Sequence, residues 1–418
     1  MLLQQSKAKE TEDAAVPEPL EQETEQAPEA PEDEPEEEES SGEGEESYTS
    51  LDKDDEGKPI IRQPKVLTPR PLTPGGTVRK GLANSAGNEY RPLDSGKVLS
   101  TGCTLLDLAI AGGRVRGGGI PGGILVEIFG PSSSGKTAVA VEIGASAQFK
   151  GGEVAFADPE ARLDRSYSET FGFAIDAANY CRPNTVLDKL NKKGEIVEDG
   201  LEAFLIDWAP ANKSVINVQI ADSIAALSTE MEMDARDKRG QRKAKELSEL
   251  LRKTARIISQ DHRLVIFTNQ EKEGEYGGVT PGGKAVGFHA SVRIRIARKE
   301  TVDKEQKLAS GVKVKKTIGI LSTALIKKSS VDDEYRTAPI YVIFGHGIDD
   351  IRGNLQWVKD MTKSTKYNAV TKDFVAMDAA IAHIESEGLE EELRELVIDL
   401  WEEIEAKFKT ERKPKRRF

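Results

Sequence analysis

Short apolar runs, each followed by a glycine-rich or amphipathic stretch, set the rhythm of the middle of this chain. ILVEIF, residues 124–129, has the length and composition of a strand buried on both faces, and it feeds a glycine-rich loop. Residues 137–150, TAVAVEIGASAQFK, follow as a helix that stops at Gly151-Gly152. EVAFA (153–157), SVINVQIADS (214–223) and RLVIFTNQ (263–270) read as further strands, the last two separated by a long charged helical stretch. Strands alternating with helices predict an α/β fold with a mostly parallel central sheet covered on both faces. Beyond Gly282-Gly283 the pattern changes to SVRIRIARK, GVKVKKTIGILSTALIKK and APIYVIFG, which read as added, partly antiparallel strands. DFVAMDAAIAHIESEGLEEELRELVIDLWEEIEAKF returns to a helical period broken at Gly388, a small helical C-terminal region.

The ends of the chain have a different texture. Residues 1–56 carry 22 Asp and Glu against three Lys, a net of −19, with too little apolar surface to offset chain entropy, and are expected to be a disordered acidic arm. Residues 57–97 are punctuated by Pro and Gly and read as a linker. The expected organisation is then a core over 98–350, a helical region over 351–406, and a basic tail over 407–418 with seven bases and one acid. The formal charge of −13 for the whole chain thus conceals a body of net +6, which is compatible with nucleic acid without demanding it. Cys103 and Cys181 give no disulfide framework or zinc spacing, and His262, His289, His346 and His383 form no ligand pair at helical spacing. With no secretory leader and no apolar run near the ~20 residues of a membrane span, the chain reads as cytoplasmic, without a membrane partner.

The loop after the first core strand carries the chemistry. Gly130, Pro131, Ser132, Ser133, Ser134, Gly135, Lys136 and Thr137 fit G-x-x-x-x-G-K-[ST] between a predicted strand and a predicted helix. Glycines let backbone N–H groups curl around phosphates, the lysine reaches the terminal phosphate oxygens, and the threonine hydroxyl helps hold Mg²⁺. Asp222 ends an apolar strand, where an acid steers the magnesium shell; such strand ends are common, and the pairing with the loop gives this one its weight. Glu160, in AFADPEARLDRSY, lies just past the strand after the loop's helix, where a carboxylate can polarise an attacking water. Gln270 closes its strand and opens the next loop, a position from which an amide can sense a terminal phosphate, although strand-end Gln is also a common turn residue. Residues 234–256 hold nine bases, Arg236, Lys238, Arg239, Arg242, Lys243, Lys245, Arg252, Lys253 and Arg256, against Asp234, Asp237, Glu246 and Glu249. That stretch is either a solvated helix face or a phosphate-contacting loop and helix.

STGCTLLDLAI, GGIPGGILVEIFGPSSSGKT, AFADPEARLDRSY, VQIADSIAAL, LRKTARIISQDHRLVIFTNQ and TPGGKAVGFHASVRIRI occur in the order found in bacterial RecA and its phage-encoded relatives. The chain resembles that family over roughly residues 98–350, and its C-terminal tail looks more like the phage-encoded members. The resemblance implies a RecA-like P-loop ATPase core and an ATP-dependent DNA recombinase that coats single-stranded DNA as a helical filament, with ATP and Mg²⁺ between subunits. It further implies pairing with duplex DNA and help from loader or single-strand-binding proteins. By position, residues 130–137 match the phosphate loop and Asp222 the Mg²⁺ acid. Glu160 matches the catalytic base, Asp164 and Tyr167 the adenine contacts, and Gln270 the γ-phosphate sensor. DNA-binding loops fall near 232–242 and 271–281, the latter with Lys272 and Tyr276 and leading into Gly282 and Gly283, while Phe288 resembles a subunit-contact residue. Where bacterial members carry a K-x-K pair that reaches the neighbour's ATP, this chain has IKKSSVD, which offers Lys327 or Lys328. The second loop is shorter than the bacterial one, and Glu271, Glu273 and Glu275 outnumber its Lys272. A helicase-like ring motor and a non-hydrolysing recombination mediator are the alternatives that the same core allows.

Overall fold

A computed structural model of the chain describes residues 98–191, 193–228, 241–271 and 284–412. The acidic arm, the linker and residues 413–418 of the basic tail lie outside the described residues.

The described residues contain 15 strands. β1 (Val98–Leu99) and β2 (Ile120–Pro121) pair with each other around helix α1 (Thr104–Ala111). β3 (Ile124–Gly130) leads into helix α2 (Lys136–Phe149), then β4 (Val154–Ala157), helix α3 (Arg165–Thr170) and β5 (Asn179–Cys181). A small hairpin of β6 (Lys189–Leu190) and β7 (Ile196–Glu198) precedes helix α4 (Leu201–Ile206), β8 (Val218–Ala221), helix α5 (Gln241–Gln260), β9 (Leu264–Gln270) and helix α6 (Lys284–His289). β10 (Val292–Lys307), β11 (Lys313–Ser329), β12 (Thr337–Ile343) and β13 (Gly347–Ile348) follow. The chain then forms helix α7 (Asp350–Thr362), a hairpin of β14 (Tyr367–Ala369) and β15 (Lys372–Phe374), and helices α8 (Met377–Glu387) and α9 (Glu390–Phe408).

Nine strands form one sheet in the order β13-β12-β11-β10-β3-β9-β8-β4-β5. From β10 to β5 every pairing is parallel, whereas β10 to β13 pair antiparallel, so the fold is α/β with a mostly parallel sheet and added antiparallel strands. Alternate side chains of the parallel strands enter two cores, which explains their continuous apolar runs. Val126 and Ile128 of β3 and Ile266 of β9 pack on the α2 side with Val139, Val141 and Ile143. Leu125, Val265 and Phe267 point the other way, toward Leu247, Leu250, Leu251 and Ile258 of α5. With fully buried Thr254 between Leu251 and Ile258, these α5 positions recur at three- and four-residue spacing, the buried stripe of a helix lying on a sheet.

The C-terminal helices are only partly a body of their own. Leu355, Ala369, Ala380, Ile384 and Leu393 make a small separate core, yet Val397 and Ile398 of α9 join the main core. Arg116 reaches Glu395, Asp399 and Glu402 of α9 at 2.6–3.0 Å. The expected boundary at 350/351 also cuts α7 after its first residue, and beyond it the Asn354 amide donates to the Asp350 carboxylate at 2.9 Å and to the Thr104 hydroxyl at 3.4 Å.

Candidate nucleotide site

The carboxyl ends of β3, β4, β8 and β9 are neighbours in the sheet, and the loops leaving them converge on one cavity of 240 Å³. It is lined by residues 132–138 with Glu160, Arg162, Tyr167, Asp222, Ser223 and Gln270. The loop from β3 needs glycine at both ends. Gly130 has φ +150, and a Cβ there would stand 2.0 Å from the Ile296 carbonyl oxygen. Gly135, at φ +92, turns the chain into α2 and directs the N-terminus of that helix at the cavity. Ser134 and the loop are held from below, with the Ser322 hydroxyl of β11 donating to the Ser134 carbonyl at 2.9 Å.

Lys136 donates its Nζ to the Pro131 carbonyl of its own loop at 2.7 Å. Burial lowers its pKa, and the fields of Asp222, Glu160 and Glu271 oppose that shift. The ammonium therefore lies in the field of three acids, and among the described residues none of them pairs with it directly. Asp222 accepts from the Thr268 hydroxyl and is also hydrogen-bonded by Thr137. Burial raises the Asp222 pKa, helped by Glu160 and Asp158 and resisted by those two hydroxyls. A pocket with a threonine hydroxyl, a buried carboxylate and further carboxylates nearby has the hard oxygen donors that suit Mg²⁺.

Glu160 is the hub. One of its oxygens accepts from the Ser223 hydroxyl at 2.6 Å and from the Gln270 amide at 3.2 Å, and the other pairs with Arg162 at 2.7 Å. Its loop is pinned by buried Asp158, which accepts from the backbone N–H groups of Arg162 and Leu163 and from the Tyr180 hydroxyl. The Glu160 side chain is thus fixed in place with few degrees of freedom. Ser223 and Arg162 were not singled out from sequence. Ser223 follows the strand-end acid directly and Arg162 follows Glu160 by two, so adjacency was the only available signal.

Other expected residues take different places. Asp164 does not line the cavity; its carboxylate caps α3 by accepting from the Tyr167 N–H at 2.7 Å, which orients Tyr167. Tyr167 does line it, and burial together with the field of Asp222 pushes its hydroxyl up to about 12. Lys328 donates to the carbonyls of Gly287 and Phe288 at the end of α6, at 3.0 and 2.9 Å, whereas Lys327 is exposed. Phe288 is 78% exposed. On the expected DNA surface, Lys243 is corrected: it is buried and donates to the Ala225 and Leu227 carbonyls, so its ammonium is turned inward rather than toward a phosphate. Arg242 is exposed and pairs with Glu246 at 2.9 Å. Arg236, Lys238, Arg239, Lys272, Tyr276, Gly282 and Gly283 lie outside the described residues. Among the described residues there is no cluster of metal-binding side chains of His, Cys, Asp and Glu, and no helix long and apolar enough to cross a membrane.

Residues 88–349 match the family described as RecA N-terminal domain. The chain is 35% identical to Protein RecA of Clostridium acetobutylicum over 258 residues, covering 60% of this chain and 66% of that protein. It is 34% identical to Protein RecA of Symbiobacterium thermophilum over 276 residues, 64% of this chain and 71% of the relative. With Protein RecA of Thermus thermophilus the identity is 34% over 261 residues, 61% and 69% of the two chains.

Proposed function

The chain belongs to the RecA family, and on that premise we propose that it is a DNA-dependent ATPase that assembles on single-stranded DNA as a helical filament and promotes homologous pairing with duplex DNA and strand exchange. The observation that carries this reading is the Glu160 carboxylate at the mouth of the phosphate loop, touched at once by Ser223 and by the amide of Gln270. A base alone would serve any nucleotide hydrolase. A base bonded to the residue that opens the 271–281 loop links hydrolysis to whatever that loop contacts.

ATP is the substrate. The N–H groups of residues 132–137 and the Lys136 ammonium receive its phosphates, Thr137 and Asp222 would hold Mg²⁺, and Tyr167 stacks on the base beside capped Asp164. When bound, Mg²⁺ supplies Lewis-acid charge at the phosphates. Glu160 removes a proton from water as its oxygen bonds to the γ-phosphorus and the bond to the β,γ-bridging oxygen breaks. Lys136 offsets the charge that accumulates on the leaving side. Gln270, bonded to Glu160 beforehand, exchanges that partner for the γ-phosphate and so reports its presence. Lys327, exposed where Lys328 is occupied, is the better placed of the two to act on a neighbour's nucleotide. Phe288 fits a subunit contact, and loader or single-strand-binding proteins and a phage source complete the reading.

The test is ATP hydrolysis by the wild type and Glu160→Gln, with and without single-stranded DNA. Strong stimulation by DNA, lost by about 100-fold or more in Glu160→Gln with DNA binding retained, is expected. Tight DNA binding without hydrolysis would favour the mediator; hydrolysis indifferent to DNA would overturn the DNA-linked function.

A further inference from the structure

Gln270 works only if the end of β9 stays where it is. The segment after β8 follows β9 only as far as Thr268, whose carbonyl accepts from the Ile224 N–H at 3.1 Å, so the ladder at Gln270 itself is with β3 alone, opposite Gly130. One residue on, the Glu271 N–H still donates to the Gly130 carbonyl at 3.0 Å. Side chains alternate along a strand, so Glu271 points away from the face Gln270 uses to reach Glu160. On that opposite face Arg295 of β10 grips it. The Arg295 Nε lies 3.0 and 2.9 Å from the two Glu271 oxygens, and a terminal guanidinium nitrogen lies at 2.8 Å. Arg295 stands opposite Phe129 of β3, so the pair reaches across β3 and ties β10 to the last residue of the β9 extension.

We propose that Arg295 is a positioning residue for the hydrolysis step, holding the Gln270 amide on Glu160 through its ion pair with Glu271. This rests on the proposed ATPase and deepens it. A planar guanidinium meeting both carboxylate oxygens restrains direction as well as distance, which a single contact or a lysine does less well. The Glu271 carboxylate is only 10% exposed. Its negative field extends to Lys136, so an uncompensated charge there would act against a bound triphosphate. The guanidinium removes that penalty while fixing the strand. The neighbouring pair, Arg293 with buried Glu127 at 2.6 Å, spans β10 and β3 one step earlier and anchors β9 at Asn269, whose amide donates to Glu127 at 3.0 Å, which leaves the step beyond Gln270 to Arg295.

The experiment compares DNA-stimulated hydrolysis by the full-length wild type, Arg295→Met, Arg295→Lys, Gln270→Ala and the Gln270→Ala/Arg295→Met double variant, with thermal melts alongside. Arg295→Met is expected to lower kcat by about tenfold or more while KM for ATP stays within about threefold, with Arg295→Lys intermediate. The double variant should be no slower than Gln270→Ala, because both substitutions break one contact. A stability role alone would make the two losses multiply, and that result overturns the proposal, as does Arg295→Met at wild-type kcat. Should Arg295→Met melt below the assay temperature, Glu271→Gln enters the same cycle in its place. A wild type without DNA-stimulated hydrolysis would sink the parent reading, and is distinguishable because it precedes any variant.

Discussion

Three carboxyls meet at the back of the phosphate-loop helix: Glu142 of α2, Asp107 of α1 and Asp350 of α7. Glu142 packs against Gly102 so closely that a Cβ there would stand 2.2 Å from its Cγ. Burial, then Asp350 and Asp107, push the Glu142 carboxyl up to about 7. Burial pushes Asp107 up to about 6 against hydrogen bonds from Ser100 and Thr101, and Arg394 acts on both Asp107 and Asp350. The folded protein therefore binds protons at Glu142 that the unfolded chain has released. That stability is present in full below the ordinary carboxyl pKa and is lost as pH rises through about 7. Glu142→Gln should raise Tm by about 2–4 °C at pH 8 and leave it unchanged near pH 4, read by thermal melts across that range. A constant offset at all pH values would reject titration as the cause. This trio was invisible in the sequence, because its members lie far apart along the chain and only the fold makes them neighbours. Lys136, Thr137, Glu160, Asp222 and Gln270 were legible for the opposite reason: each sits in or beside a turn whose spacing or strand-end position announces it.

At the level of elements, α5 shows what periodicity can and cannot tell. Its apolar stripe was readable, but its nine-base neighbourhood left open whether the charges faced solvent or phosphate. Lys243 resolves one of them against DNA, since its carbonyl partners follow β8 and brace the start of α5. Lys243→Met is expected to cost about 1–3 kcal/mol in urea denaturation by leaving those carbonyls unpaired, with single-stranded DNA affinity unchanged at temperatures where both proteins are folded. A matching loss of affinity would return Lys243 to the DNA surface. Sequence also placed the parallel strands and the switch to antiparallel pairing, though the strand read as 214–223 contracts to Val218–Ala221. It missed the hairpins β6–β7 and β14–β15, which have two or three residues per strand and so too few positions for alternation to register. The long hairpin of β10 and β11 was seen only as apolar runs. From Asp303 to Thr317 its side chains are exposed and its strands pair only with each other, so no buried face imposes a pattern there.

For the whole molecule the decisive quantity is the division of charge, −19 over residues 1–56 against +6 over the rest. An acidic segment tethered to a basic body that binds DNA would compete with the DNA phosphates intramolecularly, at an effective concentration on the order of millimolar. Exposed Lys316 of the β10–β11 hairpin, where Lys313 and Lys315 pair with Glu305 and Asp303, would add to the surface open to that competitor. A protein starting at Gly57 should accordingly bind single-stranded DNA more tightly than the full chain. Its log affinity should fall more steeply with log salt, by about 0.7 for every phosphate contact the arm had displaced. The shape of the salt effect separates two causes. If the arm only repels DNA at long range, the gap between the two proteins follows the screening length and vanishes once the Debye length falls below about 8 Å, so the difference in log affinity is curved against log salt. If the arm occupies the bases, that difference stays linear in log salt, because a fixed number of unmasked contacts releases counterions. Coincident curves at every salt concentration would mean that the arm leaves the DNA surface alone.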